Sequence, residues 1–248
     1  GGCCGNTRKF YFKALRAILN RANAEGVGSV ATYPFGRGGF EVSKLEEATA
    51  KRYLPAAELS KLKSVTASNP QCEYARKLFL FSYYCYGISF IDMAMLTAAH
   101  IKQMEDGDYI VYKRQKIKRQ KGVKPISIKI TPAIRQLIGS LQAASPTVDD
   151  FLLPIVTRSG YTGERLYMHI RARYSKYQKY LRLLAEELGI DFHLTSYVSR
   201  HTAAMTLQRN HIPREVISQM LGHADLETTN IYLDSFDNRV INEAAKVL

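Results

Sequence analysis

The chain has 248 residues, 46% of them hydrophobic, and carries 35 Lys and Arg against 22 Asp and Glu, a formal charge of +13. These figures belong to a globular protein with one good core and a smaller second unit, and exclude a low-complexity chain. The charge excess points to a polyanionic partner, nucleic acid first and an anionic membrane surface second.

Residues 1–5, "GGCCG", read as a processing remnant rather than part of a fold, and "GGCCGNTRKF" lacks the apolar run of a signal peptide. A cytoplasmic protein is the expectation that follows. Cys3, Cys4, Cys72 and Cys85 show no spacing of a disulfide frame or a zinc site, so free thiols are expected. Residues 7–25 place Phe12, Leu15, Ile18 and Leu19 among basic residues, the pattern of an amphipathic basic helix stopped by Gly26. From residue 26 to 53 the glycines and Pro34 break regularity, which predicts a linker and a boundary near residue 54.

Beyond it, "AAELSKLKSV" and "CEYARKLFLFSYYCY" have helical patterning. The apolar stretch 78–96 contains Ser82, Gly87, Ser89 and Asp92, so it reads as two core helices broken near Gly87 and not as a membrane span. "DYIVYKRQKIKRQKGVKPISIKI" has two β-rich runs around a basic tip with Gly122 and Pro125, the pattern of a hairpin. Thr131 and Pro132 then open a helix, and a long basic helix ends at Gly189.

Residues 194–233 hold "LTSYVSRHTAAMTLQRNHIPREVISQMLGHADLETTNIYL". Thr195 or Ser196 caps one helix, Pro213 starts a second that Gly222 ends, and Asp225 caps a third. Tight turns between them would bring Arg200, His223 and Tyr232 near one another. A phenol, with a pKa of ~10, is a poor nucleophile unless developing charge is compensated. An arginine fork and an imidazole N–H supply such compensation to the oxygens of a pentavalent phosphorane, so the trio suggests tyrosine attack on a phosphodiester. The same segment also scans as a helix-turn-helix, a DNA-binding regulator without chemistry. Its third helix, "DLETTNIYLD", offers a groove only Asn230 among base-reading side chains and is acidic, which argues against that alternative.

"LTSYVSRHTAAM" followed by "ISQMLGHADLETTNIYL" resembles the signature of the tyrosine recombinases, or phage integrases, with Arg-His-Thr, Leu-Gly-His and a terminal tyrosine in order. The resemblance implies a mainly α fold with a small antiparallel β-sheet. Residues 54–248 would be the catalytic domain; residues 1–53 would be the remnant, part of a helical core-binding domain and the linker. It implies site-specific cleavage and rejoining of double-stranded DNA through a 3′-phosphotyrosine at Tyr232, assisted by Arg200 and His223. Lys116 would protonate the leaving 5′-hydroxyl, with Lys113, Lys118 and Lys121 as rivals for that role. No cofactor, metal or membrane is expected. The protein would be a monomer in isolation and a homotetramer on DNA, its tail docking in trans through Phe236, Val240, Ile241, Ala244 and Val247.

Two positions depart from the family pattern. Tyr197 stands where a histidine is usual, and a phenol still donates and accepts hydrogen bonds there. Ser89 stands where the first active-site arginine falls, in "YGISFIDMAML"; Arg114 and Arg76 are the candidates to replace it. A slower enzyme is therefore expected, and a recombinase-like DNA-binding protein without activity is the alternative.

Overall fold

The structure is a computed structural model that describes residues 2–47, 52–118, 121–223 and 229. The chain divides into two compact units, Gly1–Ala50 and Lys51–Leu248.

The first unit is built on helix α1 (Gly5–Ala24) and two 3-10 turns at Val30–Thr32 and Val42–Leu45. Its helix starts within the glycine-rich opening, and Gly5 is buried there. Phe12 packs on Phe40 at a centroid distance of 4.7 Å, and Asn6 donates to the Glu47 carbonyl at 2.7 Å. Leu15 and Ile18 of the expected apolar stripe stay exposed, together with Phe10 and Tyr11. A unit of this size has too few other elements to cover a whole helix face.

The second unit is mostly helical. Helix α2 (Ala56–Ser64) precedes α3 (Pro70–Tyr84), which begins where the Asn69 side chain accepts from the Gln71 N–H and Pro70 occupies the first turn. Tyr86 and Gly87 take positive φ and break the apolar run, and the short α4 (Phe90–Ala94) follows. Strands β1 (Ile101–Met104), β2 (Gly107–Tyr112) and β3 (Ile126–Lys129) form an antiparallel sheet in the order β1-β2-β3. Its register sets Ile101 against Ile110 and Ile110 against Ile128, so alternate residues bury one face. The hairpin expected from the sequence is β2 and β3; β1 adds a third strand.

Helix α5 (Pro132–Ala144) starts with Thr131 accepting from the Ile134 N–H. The long α6 (Gly163–Leu188) buries Ile170, Tyr177, Leu181 and Leu184 and ends on Gly189 in the left-handed conformation. Helices α7 (Ser196–Arg209) and α8 (Arg214–Leu221) follow, the second again closed by a left-handed glycine, Gly222. Phe79, Phe81, Leu78, Ile110, Ile128 and Leu153 are among the fully buried residues of the core, and α3 packs against α5, α6 and α7. This mostly helical fold with a small antiparallel sheet is the architecture expected from the sequence. Among the described residues, no helix is long and apolar enough to cross a membrane.

Candidate active site

Arg200 reaches the site because α7 is pinned to α3. The hydroxyls of Ser199 and Ser82 lie 2.7 Å apart in the interior, and Thr202 accepts from the Leu54 N–H at 2.9 Å. The Arg200 stem then passes over the turn between α3 and α4. A Cβ on Gly87 would stand 2.5 Å from Arg200 Cα and 2.6 Å from its Cβ and Cγ, and Gly87 has φ of +72°. Only glycine meets both conditions. The guanidinium, in a side chain only 4% exposed as a residue, donates from Nη1 to the Gly87 carbonyl at 3.0 Å and from Nη2 to the Leu221 carbonyl at 2.6 Å.

His223 follows the glycine that ends α8, and its N–H donates to the Ser218 carbonyl at 3.0 Å. Its Nε2 lies 2.8 Å from Arg200 Nη2, and its Nδ1 lies 2.7 Å from Thr229 Oγ1. A guanidinium has no acceptor, so Nε2 accepts in this contact. The ring is therefore not a doubly protonated imidazolium, and Nδ1 carries the proton towards Thr229. In this arrangement the imidazole orients Arg200.

The other wall comes from α4 and the end of β2. Ser89 begins α4, accepting from the Asp92 N–H at 3.3 Å and donating to Asp92 Oδ2 at 2.6 Å. The other oxygen of the buried Asp92 accepts from the Gln115 N–H at 2.7 Å, which fixes the chain just past β2. Arg114, half-buried, donates from Nη1 to the Gly222 carbonyl at 3.2 Å. Burial pushes the pKa of Tyr112 upward, with Asp92 adding to the rise while the charges of Arg200 and Arg114 oppose it. Gly87, Ser89, Arg114, Arg171, Tyr197 and Arg200 are among the residues lining one open cavity of about 640 Å³.

Tyr197 lines this cavity, 54% exposed, with its ring edge-on to His201 at 5.1 Å. Lys116 is exposed in the turn after β2, as are Lys113, Lys118 and Lys121. Tyr232, Asp225 and the tail from 233 to 248 lie outside the described residues. Arg76 is elsewhere, its fork on Glu73 at 2.7 Å and its Nη1 donating to the Leu62 carbonyl at 2.9 Å. Thr229 and Gly87 join the site without having been singled out as site residues in the sequence; Thr229 had a signal in its place six residues after His223 in "LGHADLETT".

Two guanidiniums bonded to carbonyls at one cavity wall make an anion site with planar, directional donors, suited to a phosphate. Among the described residues Arg114 forms no ion pair, and no group of His, Cys, Asp and Glu is placed to hold a metal ion.

The model of the phage integrase family matches residues 52–239. Among curated relatives, tyrosine recombinase XerD of Halalkalibacterium halodurans is 43% identical over 54 residues, 22% of this chain and 18% of that protein. Tyrosine recombinase XerD of Brucella abortus is 30% identical over 119 residues, 47% of this chain and 35% of that protein. The chain thus matches only part of the length of these relatives. Among solved structures, the Tn1549 transposon integrase in complex with transposon right end DNA aligns with a TM-score of 0.66 at 13% identity, covering 97% of this chain and 78% of that one. XerA recombinase aligns with a TM-score of 0.55 at 22% identity, covering 82% and 67%. At such identities the likeness is one of fold.

Proposed function

We propose that this chain, which belongs to the phage integrase family, is the catalytic part of a site-specific DNA recombinase that cuts and rejoins strands through a 3′-phosphotyrosine. One observation carries this reading: Arg200, which lines a cavity together with Arg114, meets His223, 23 residues further on, at 2.8 Å. The solved relatives bound to DNA support duplex DNA as the substrate.

Tyr232 Oη attacks the scissile phosphorus and loses its proton to water as the new bond forms. The bond from phosphorus to the 5′ oxygen breaks, and Lys116 protonates the departing oxygen. Arg200 holds the non-bridging oxygens as negative charge builds on them. A 5′-hydroxyl of a partner duplex reverses the step and frees Tyr232. The phosphotyrosine retains the energy of the broken bond, so the cycle runs without ATP. Tyr197 offers a hydrogen bond beside the phosphate. The protein acts in the cytoplasm, as a monomer off DNA and a homotetramer on it. Domain bounds of 1–53 for the helical clamp fragment and linker and 54–248 for the catalytic domain belong to the same reading.

The test is a nicked suicide substrate carrying the native site, analysed on a denaturing gel. The chain is expected to form a covalent adduct, and Tyr232→Phe to bind the DNA without forming one. An adduct in Tyr232→Phe would overturn the assignment of the nucleophile; binding without any adduct in the unaltered chain would favour a recombinase-like protein that has lost its chemistry.

A further inference from the structure

We propose that Gln178 and Tyr174 of α6 are positioning residues for catalysis: they set the first turn of α7 and, through it, the aim of the Tyr197 hydroxyl at the scissile phosphate. This rests on the strand-transfer reading above. Three features of the site support it.

First, α7 is capped from another helix. Thr195 sits at its N-cap position, but the Thr195 side chain makes no hydrogen bond to the first N–H groups of the helix. The N–H of Ser196 instead donates to Gln178 Oε1 at 3.0 Å. One of the N–H groups that a helix leaves without an internal partner is thereby met from α6. Second, the amide of Gln178 fits in only one way. A backbone N–H can only donate, so the amide oxygen faces Ser196 and the amide nitrogen faces away. Gln178 Nε2 then donates to Tyr174 Oη at 3.0 Å, one turn back on the same face of α6. Tyr174 Oη lies in turn 3.2 Å from Ser196 Oγ, so the three residues close a ring of hydrogen bonds.

Third, the ring of bonds stands at the cavity. Tyr174, Ser196, Tyr197 and Arg200 all line it. The Tyr174 ring is itself held 5.3 Å from that of Phe90, which ties α4, α6 and the start of α7 together. Arg200 has its own anchors in the Gly87 and Leu221 carbonyls. Tyr197 is exposed and leaves the helix from the residue after Ser196, so its aim follows the first turn of α7. A hydroxyl that serves the transition state has to be in place before charge develops, and a displacement of about 1 Å is enough to lose much of its effect.

The competing role for the pair is a structural cap, which would stabilise α7 without regard to Tyr197. A double-mutant cycle separates the two. Gln178→Ala, Tyr197→Phe and the combined variant are assayed beside the unaltered chain for adduct formation in a single turnover at saturating suicide substrate. Urea unfolding gives the folded fraction of each, and fluorescence anisotropy its DNA affinity. Gln178→Ala is expected to slow adduct formation about tenfold per folded molecule, with DNA affinity unchanged. In the Tyr197→Phe background the same change should slow it only about twofold or less. Gln178→Glu, which keeps an acceptor for the Ser196 N–H, should recover most of the rate. Tyr174→Phe, which keeps the ring against Phe90, should show a smaller loss than Gln178→Ala.

Equal deficits in the two backgrounds would overturn the proposal and leave the pair as a cap. An unchanged rate per folded molecule in Gln178→Ala, or in Tyr197→Phe, would also overturn it while the strand-transfer reading stands. An unaltered chain that forms no adduct would overturn that reading, and this assignment with it.

Discussion

Arg200 Nη2 and His223 Nε2 are 2.8 Å apart, and the donor in that pair is fixed by chemistry: the guanidinium gives and the imidazole receives. The proton on the other ring nitrogen then faces Thr229, whose hydroxyl is 2.7 Å away and whose residue is fully buried.

Thr229 is therefore expected to act through His223. Thr229→Val keeps the shape and removes the acceptor, at a cost of about 1 kcal/mol, or roughly fivefold in the rate of adduct formation. Thr229→Ser should restore most of it. Single-turnover cleavage at saturating DNA is the measurement; equal rates in the Val variant and the unaltered chain would show that this hydrogen bond does not set the orientation of Arg200.

Gly87→Ala tests whether backbone approach builds the site. The added Cβ meets the Arg200 stem at 2.5 Å in a conformation that L-residues disfavour. Together these should destabilise the second unit by about 2–4 kcal/mol. Urea unfolding of the variant would measure this, with loss of adduct formation expected even where the protein remains folded. A midpoint unchanged from the parent would contradict the close approach.

Arg76 and Glu73 give a contrasting case, away from the cavity. Burial disfavours the charged Glu73, but hydrogen bonds from Arg76 and the Ala67 N–H, with the charges of Arg76 and Lys77, outweigh it and hold the carboxyl below its usual range. A lowered folded-state pKa means that stability is fully present above the unfolded value of about 4.3 and is lost as pH falls through the lower folded value. Arg76→Ala should cost about 2 kcal/mol at neutral pH, by leaving the partly buried Glu73 carboxylate with only the Ala67 N–H and the more distant Lys77. Glu73→Gln should flatten the acid limb of a stability profile below pH ~4.3, and cleavage per folded molecule should not change in either variant. A steep acid limb retained in Glu73→Gln would assign it to other carboxylates.

DNA affinity of this chain should depend steeply on salt. Lys113, Lys116, Lys118 and Lys121 stand exposed around the β2–β3 connection, suited to phosphate contacts that release counterions. Between ~50 and ~200 mM salt a fall of about 10³-fold is expected in a fluorescence anisotropy titration. Affinity that stays within a factor of about two would remove charge as the basis of binding.

Local signals served the sequence well. Thr131 with Pro132, Gly189 and Gly222 each act within a turn of their own helix, and each boundary lies where those residues put it. Strand β1 escaped notice because only Ile101 of its four residues is even partly buried, so no alternation marks it. The stripe on α1 was legible, but its burial depends on what covers it. Arg200 and His223 were found by motif. The place of Arg114 was not, since it depends on the contact of Gln115 with Asp92, 23 residues away, which no periodicity encodes.

The bond from Arg200 to the Gly87 carbonyl spans 113 residues, and that from Arg114 to the Gly222 carbonyl spans 108. Closing such long loops is slow, because the chain entropy is lost before the contact that rewards it exists. Helices α3, α6 and α7 can form from neighbours in sequence, whereas the cavity exists only when both ends of the second unit have met. A nascent or refolding chain would therefore regain its helical circular dichroism before it gained a competent active site, and would not nick DNA while only partly folded.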